Sequence, residues 1–166
     1  MTHQKSILFI FGLFLCMTTQ IFCQMPVPSG AYTITSQNSG LLLDVYGAST
    51  DDLAGVIQYP ANNGRNQQWN LLYQGEQFNG HVYAIISVNS GKALDDPGTS
   101  TTPGTQMIQY TFHSGPNQLW LIQDAGDGSY FIQNVASALY LDIEGASINP
   151  EARLIEWTFN GNANQR

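Results

Sequence analysis

The 166-residue chain is long enough for one domain with its own core, and only 10% of it is charged, which excludes a disordered tail or a coiled coil. Its 8 Tyr, 8 Phe, 3 Trp and 16 Gly suit short strands joined by many turns, so an all-β globular domain is expected. A net charge of −7 excludes partners that demand clustered Lys and Arg, namely nucleic acid, heparin-like polyanions and anionic membrane surfaces.

Lys5, the apolar run Ile7 to Met17 and the more polar Thr18-Thr19-Gln20 have the layout of a secretory signal peptide, expected to occupy 1–23 with cleavage after Cys23. The run is far short of the ~20 residues a membrane-spanning helix needs, which disfavours the alternative of an uncleaved anchor. An exported, extracellular protein with no membrane insertion is therefore expected. Both cysteines, Cys16 and Cys23, lie in that segment, so the domain expected over 24–166 has no disulfide and must rely on its core. With four basic residues left against twelve acidic ones, neutral ligands fit it best.

From Gly30 onward the chain repeats itself. The first copy carries Tyr32, Leu43-Asp44, Gly47, Ile57-Gln58-Tyr59 and Asn66-Gln67-Gln68-Trp69. The second carries Tyr83, Leu94-Asp95, Gly98, Ile108-Gln109-Tyr110 and Asn117-Gln118-Leu119-Trp120. The third carries Tyr130, Leu141-Asp142, Gly145, Ile155-Glu156-Trp157 and Asn164-Gln165-Arg166. In every copy the Asp lies 12 residues after the Tyr, the second aromatic 15 after the Asp, and the Asn-Gln pair begins 22 after the Asp. The copies, at about 30–79, 80–127 and 128–166, are offset by 51 and 47 residues, with the slack assigned to linkers at Gln74–Asn79 and Asp124–Asp127.

Within each copy Tyr-x-Ile and the stretch around the Asp alternate at period 2, which reads as short strands. Asn38-Ser39-Gly40 and Asn89-Ser90-Gly91 are hairpin-turn chemistry, and a different turn is expected at Ala136-Ser137-Ala138. One copy of about four strands cannot bury its own apolar face, so three copies point to a closed β architecture with threefold pseudo-symmetry.

Gln67-Gln68-Trp69 and Gln118-Leu119-Trp120, each with Leu-Asp upstream and the aromatic in register, resemble the ricin-B lectin family. The resemblance covers the chain from about Gly30. It implies a β-trefoil that binds sugars in shallow pockets, one for each lobe, with galactose-type sugars the family's habit. Two departures stand out. Many members carry a disulfide in each lobe, and this chain has none to place there. Gln165-Arg166 also stops one residue short of the third Trp, so the third repeat is expected to lack its last strand, through truncation or a genuinely incomplete lobe.

A sugar presents hydroxyls at its rim and C–H groups on its faces. Binding it takes a carboxylate to accept hydrogen bonds, an amide that donates and accepts, and a ring to stack. Each copy holds that set: Asp44, Tyr59 and Asn66; Asp95, Tyr110 and Asn117; Asp142, Trp157 and Asn164. By similarity to the family these are the contact positions, with Gln67, Gln118 and Gln165 steadying the Asp residues. Trp69, Trp120 and the repeat-opening Tyr32, Tyr83 and Tyr130 are expected in the core.

Catalysis is not expected. His81 and His113 lie near no Ser or Cys motif and are expected on loops or edges. Asp51-Asp52 and Asp95-Asp96 are adjacent carboxylates, which a strand points to opposite faces, whereas a glycosidase needs its pair facing across ~5–9.5 Å. No Cys/His cluster implies a metal and no Gly-rich loop implies a phosphate, so neither metal nor cofactor is expected. Two rival readings are a sugar-binding appendage of a longer glycoside hydrolase and a trefoil that binds a protein or protease through its loops.

Overall fold

A computed structural model describes residues 27–77 and 80–166. The expected signal peptide and its two cysteines lie outside the described residues.

Five strands follow one another as antiparallel neighbours in a barrel-like wall: β1 (Gly30–Tyr32), β4 (Trp69–Gln77), β5 (Gly80–Ser87), β8 (Trp120–Asp124) and β9 (Tyr130–Asn134). Three hairpins sit against one end of it. These are β2 (Leu42–Val45) with β3 (Val56–Tyr59), β6 (Ala93–Asp95) with β7 (Ile108–Tyr110), and β10 (Tyr140–Ile143) with β11 (Leu154–Trp157). Bridges Gly55–Ile108, Ile57–Arg153 and Gln106–Ile155 tie the hairpins into a triangle. The first two repeats therefore supply wall, hairpin, wall and the third supplies wall and hairpin, which is the β-trefoil plan. Among the described residues the third repeat has no strand after β11, and the wall is open between β1 and β9.

The period-2 pattern drives this arrangement. Leu43 and Val45, Leu94, and Leu141 and Ile143 turn inward from their hairpins and meet Trp69, Trp120, Tyr83 and Met107 in one core. Trp69 and Trp120 are fully buried, and each indole N–H donates to a hairpin carbonyl, that of Leu43 or Leu94, at 3.2 Å. Each ring thus locks its wall strand to its own hairpin while filling the centre, as expected for a buried aromatic with a polar handle. At the corresponding place in the third lobe lies a cavity of about 530 Å³, lined by Leu43, Leu71, Ile122, Leu141, Ile143 and Leu154 and flanked by Tyr32 and Tyr130.

Four expectations need correction. The segment Gln74–Gln77 is strand rather than linker, because β4 continues past a register shift between Tyr73 and Gly75 to pair Gln77 with Gly80. The turn at Ala136-Ser137-Ala138 is the same turn as in the other repeats. Ser137 Oγ accepts from the Leu139 N–H at 3.1 Å as Ser39 does from Leu41 at 3.2 Å, and Ala138 takes the left-handed φ of 59° that Gly40 and Gly91 supply elsewhere. Tyr83 is buried, but Tyr130 is exposed: β9 pairs there with β8 on one side, and among the described residues no wall strand joins it to β1 on the other. His81 is buried within β5 against the Tyr73 ring, 5.9 Å between centroids, not on a loop.

Candidate functional site

The same local construction occurs three times. In the first lobe Asp44 sits on β2 between the inward-facing Leu43 and Val45, so its carboxyl turns to the other side of the hairpin. A short 3-10 turn, Arg65–Gln67, lays two amides over it. Asn66 Nδ2 donates to Oδ1 at 2.8 Å and Gln67 Nε2 donates to Oδ2 at 2.9 Å. In the second lobe Asn117 and Gln118 donate to Asp95 Oδ2 at 3.2 and 2.7 Å. In the third, Asp142 accepts from the side chains of Asn164, Gln165 and Asn160.

Every polar atom of the Gln in each pair is already engaged. Gln67 Nε2 also donates to the Pro60 carbonyl at 2.9 Å, and its Oε1 accepts from the Asn62 N–H at 3.0 Å. Gln118 makes the matching bonds to Thr111 and His113, and Gln165 to Thr158 and Asn160. These residues latch the loop between the aromatic and the 3-10 turn while holding the Asp. They are positioning residues with no polar atom left over for a ligand.

Burial pushes all three Asp carboxyls above the usual carboxylate range, and the amide N–H groups oppose that shift. Two N–H donors on Asp44 and Asp95, and three on Asp142, leave part of each carboxylate's roughly four lone-pair sites as acceptor capacity for hydroxyls. The rings stay open: Tyr59 and Tyr110 are 37% exposed and Trp157 is 43% exposed. Each lobe thus presents an anchored carboxylate floor, an amide and a half-bare ring in a shallow setting. Hydrogen bonds join the Asp and amide of each set read from the sequence, and strand register puts Tyr59, Tyr110 and Trp157 on the same hairpin face as Asp44, Asp95 and Asp142.

Two neighbours escaped that reading. His113 Nε2 lies 3.8 Å from Asp95 Oδ2, and its ring is 6.3 Å from that of Tyr110. The Gly115 N–H donates to His113 Nδ1 at 3.1 Å, which leaves the ring proton on Nε2, facing Asp95. The only sequence signal was its place three residues after Tyr110. Gly104 is the second: it lies against the Trp157 ring, and its φ of 93° is in the left-handed region that favours glycine.

The adjacent carboxylates form no facing pair. Asp96 is fully buried just after β6, at the position where the other lobes place Val45 and Ile143. Asp52 is an exposed partner of Lys92, at 2.7 Å. Among the described residues no group of three or more His, Cys, Asp or Glu could hold a metal ion.

The ricin-type β-trefoil lectin domain-like family matches this chain over residues 20–110 and 65–157. A designed threefold-symmetric protein, ThreeFoil, is 41% identical over 81% of this chain and 94% of its own, with a TM-score of 0.78. The exo-β-1,3-galactanase 1,3Gal43A of Clostridium thermocellum is 33% identical, with a TM-score of 0.77, over 85% of this chain but only 30% of its own. Pierisin of Pieris brassicae is 31% identical over 65% of this chain, which spans 12% of that relative's length. With a profile match across most of its length, three lobes in register and the trefoil plan in three dimensions, the chain belongs to the ricin-type β-trefoil lectin domain-like family.

Proposed function

We propose that this chain is a secreted, non-catalytic lectin module that binds galactose-type glycans weakly at each of its lobes and more strongly when several lobes engage one clustered glycan. The observation that carries the reading is the threefold recurrence of one hydrogen-bonded set, Asp held by Asn and Gln beneath a half-exposed ring, in a family of carbohydrate binders. A hydrogen bond to an ionised acceptor contributes roughly 1.5–3 kcal/mol, and a shallow, wet site makes few of them. Three such sites on one body turn later contacts into intramolecular ones. The signal-peptide layout of residues 1–23 supports export.

A galactanase in which the matching part is 30% of the chain favours a second reading, a glycan-targeting appendage of a longer enzyme. Both readings share the sugar sites.

The test is a triple variant, Tyr59→Ala, Tyr110→Ala and Trp157→Ala, probed on surfaces bearing galactose, lactose and β-1,3-galacto-oligosaccharides. Binding by the parent and its loss in the variant, with an unchanged circular dichroism spectrum, is expected. Retained binding to the same glycans overturns the assignment of these positions. Because a neutral ligand is expected for this acidic domain, added salt is expected to leave binding nearly unchanged.

A further inference from the structure

The three lobes share their floor but not their walls. On the antiparallel pair β10–β11, Tyr140 lies directly opposite Trp157, and Tyr140 is two residues from Asp142, so all three side chains share the sugar-facing side. The positions matching Tyr140 are Leu42 in the first lobe and Ala93 in the second, opposite Tyr59 and Tyr110. Only the third lobe places a second ring there. Tyr140 carries Phe159 at 4.8 Å between centroids, and Phe159 in turn packs edge-on against Phe131 at 5.0 Å. The Arg166 guanidinium, 5.4 Å from the centre of Phe131, completes the group.

The matching trio in the second lobe is Ala93, Phe112 and Ala84, where Phe112 is partly buried against the two small residues. Tyr140 and Phe131 fill that space in the third lobe, which lifts Phe159 outward until it is 57% exposed. The first lobe has Ala61 at this position, beside an open cleft of about 210 Å³. The Phe159 ring packs on Tyr140 and Phe131 with the rest of its surface in solvent. It stands two residues beyond Trp157, ~7 Å along an extended backbone, on the scale of one sugar ring.

We infer that the third lobe is an extended site that engages at least two consecutive sugar units, one over Trp157 and the next against the Tyr140–Phe159 wall. The first two lobes hold a single terminal unit. Ring-on-ring packing fixes the wall before the ligand arrives, so little side-chain freedom is lost on binding. The inference rests on the sugar-binding reading proposed above and specifies the ligand class of one of its sites.

Tryptophan fluorescence of the whole domain isolates this lobe, because Trp69 and Trp120 are fully buried and Trp157 is exposed. Galactose and β-1,3-galactotriose are titrated in parallel. Three units in one chain give a purely statistical gain of roughly threefold, so the inference requires the trisaccharide to half-saturate at a concentration at least tenfold lower than galactose. The variant Phe159→Ala is expected to cut that advantage to threefold or less. Tyr140→Leu, which places the first lobe's residue in the third, is expected to do the same and serves if Phe159→Ala does not fold. Equal midpoints in the parent, or an advantage that survives in the folded variants, overturns the extended site while leaving the lectin reading standing. No fluorescence response to either sugar overturns the sugar reading of this lobe itself, and the extended site with it.

Discussion

Replacing Glu156 by Gln tests the most unusual buried group in the domain. At the corresponding positions Gln58 donates to the carbonyls of Ser147 and Asn149 at 3.0 and 2.7 Å, and Gln109 to those of Ser49 and Asp51 at 3.0 and 2.8 Å, stapling one lobe to the next. Their Oε1 atoms accept from Ser39 and Ser90, both at 2.7 Å. Glu156 keeps the equivalent bond from Ser137 to Oε2, at 2.7 Å, but its Oε1 is buried without a partner. Burial, with the nearby Asp96 charge adding to it against the Ser137 hydrogen bond, pushes this carboxyl up to about 8, and burial and the Asp95 charge push Asp96 up to about 7. The unfolded glutamate titrates near 4.5. Below that pH both states hold the proton and nothing is lost. Above it the unfolded chain releases a proton that the folded one keeps, so stability falls by up to ~1.4 kcal/mol per pH unit until the folded group ionises near 8, then levels off. Over that window the loss is on the order of 5 kcal/mol, a large part of the ~5–15 kcal/mol that holds a domain together. Thermal melts at pH 5, 7 and 8.5 read it directly. Glu156→Gln is expected to match the parent near pH 5 and to melt on the order of 10 °C higher at pH 8.5. The raised Asp44, Asp95 and Asp142 are present in both proteins and largely cancel in the difference. A parent whose melting point is flat or rises over this range, or a variant with the parent's slope, refutes the reasoning.

Two further outcomes follow from the core. Trp120→Ala is expected to destabilise the domain by roughly 3–5 kcal/mol, seen as a lower denaturant midpoint, because it empties a large site and orphans the Leu94 carbonyl. Extending the chain after Arg166 with a copy of Trp69 to Tyr73 is expected to raise the melting temperature by several degrees. The added Trp would enter the cavity of about 530 Å³, and the strand would pair between β1 and β9. Equal melting temperatures with and without the extension would show that the cavity does not take that strand.

Much of this was legible in the sequence because the repeat is exact where physics is strict. A buried Asp needs amide donors within reach, so the 22-residue step from Asp44 to Asn66 recurs at Asp95 and Asp142 without drift. A ring filling the centre must follow the Gln by two residues, which marked Trp69 and Trp120 as core. What the linear pattern could not decide was anything that depends on a neighbouring lobe. The middle residue of Ile-Gln-Tyr looks like an ordinary strand position, yet its amide reaches carbonyls about ninety residues away, as from Gln58 to Asn149. Asp96 read as one of two carboxylates on opposite faces, and only the packing put it in a core place that is Val45 or Ile143 elsewhere. Tyr130 read as core like Tyr83, but Tyr83 has wall strands on both sides, whereas the wall is open between β9 and β1. Local spacing encodes contacts made within one repeat. Contacts between repeats are set by how three of them close on each other, and no periodicity along the chain records that.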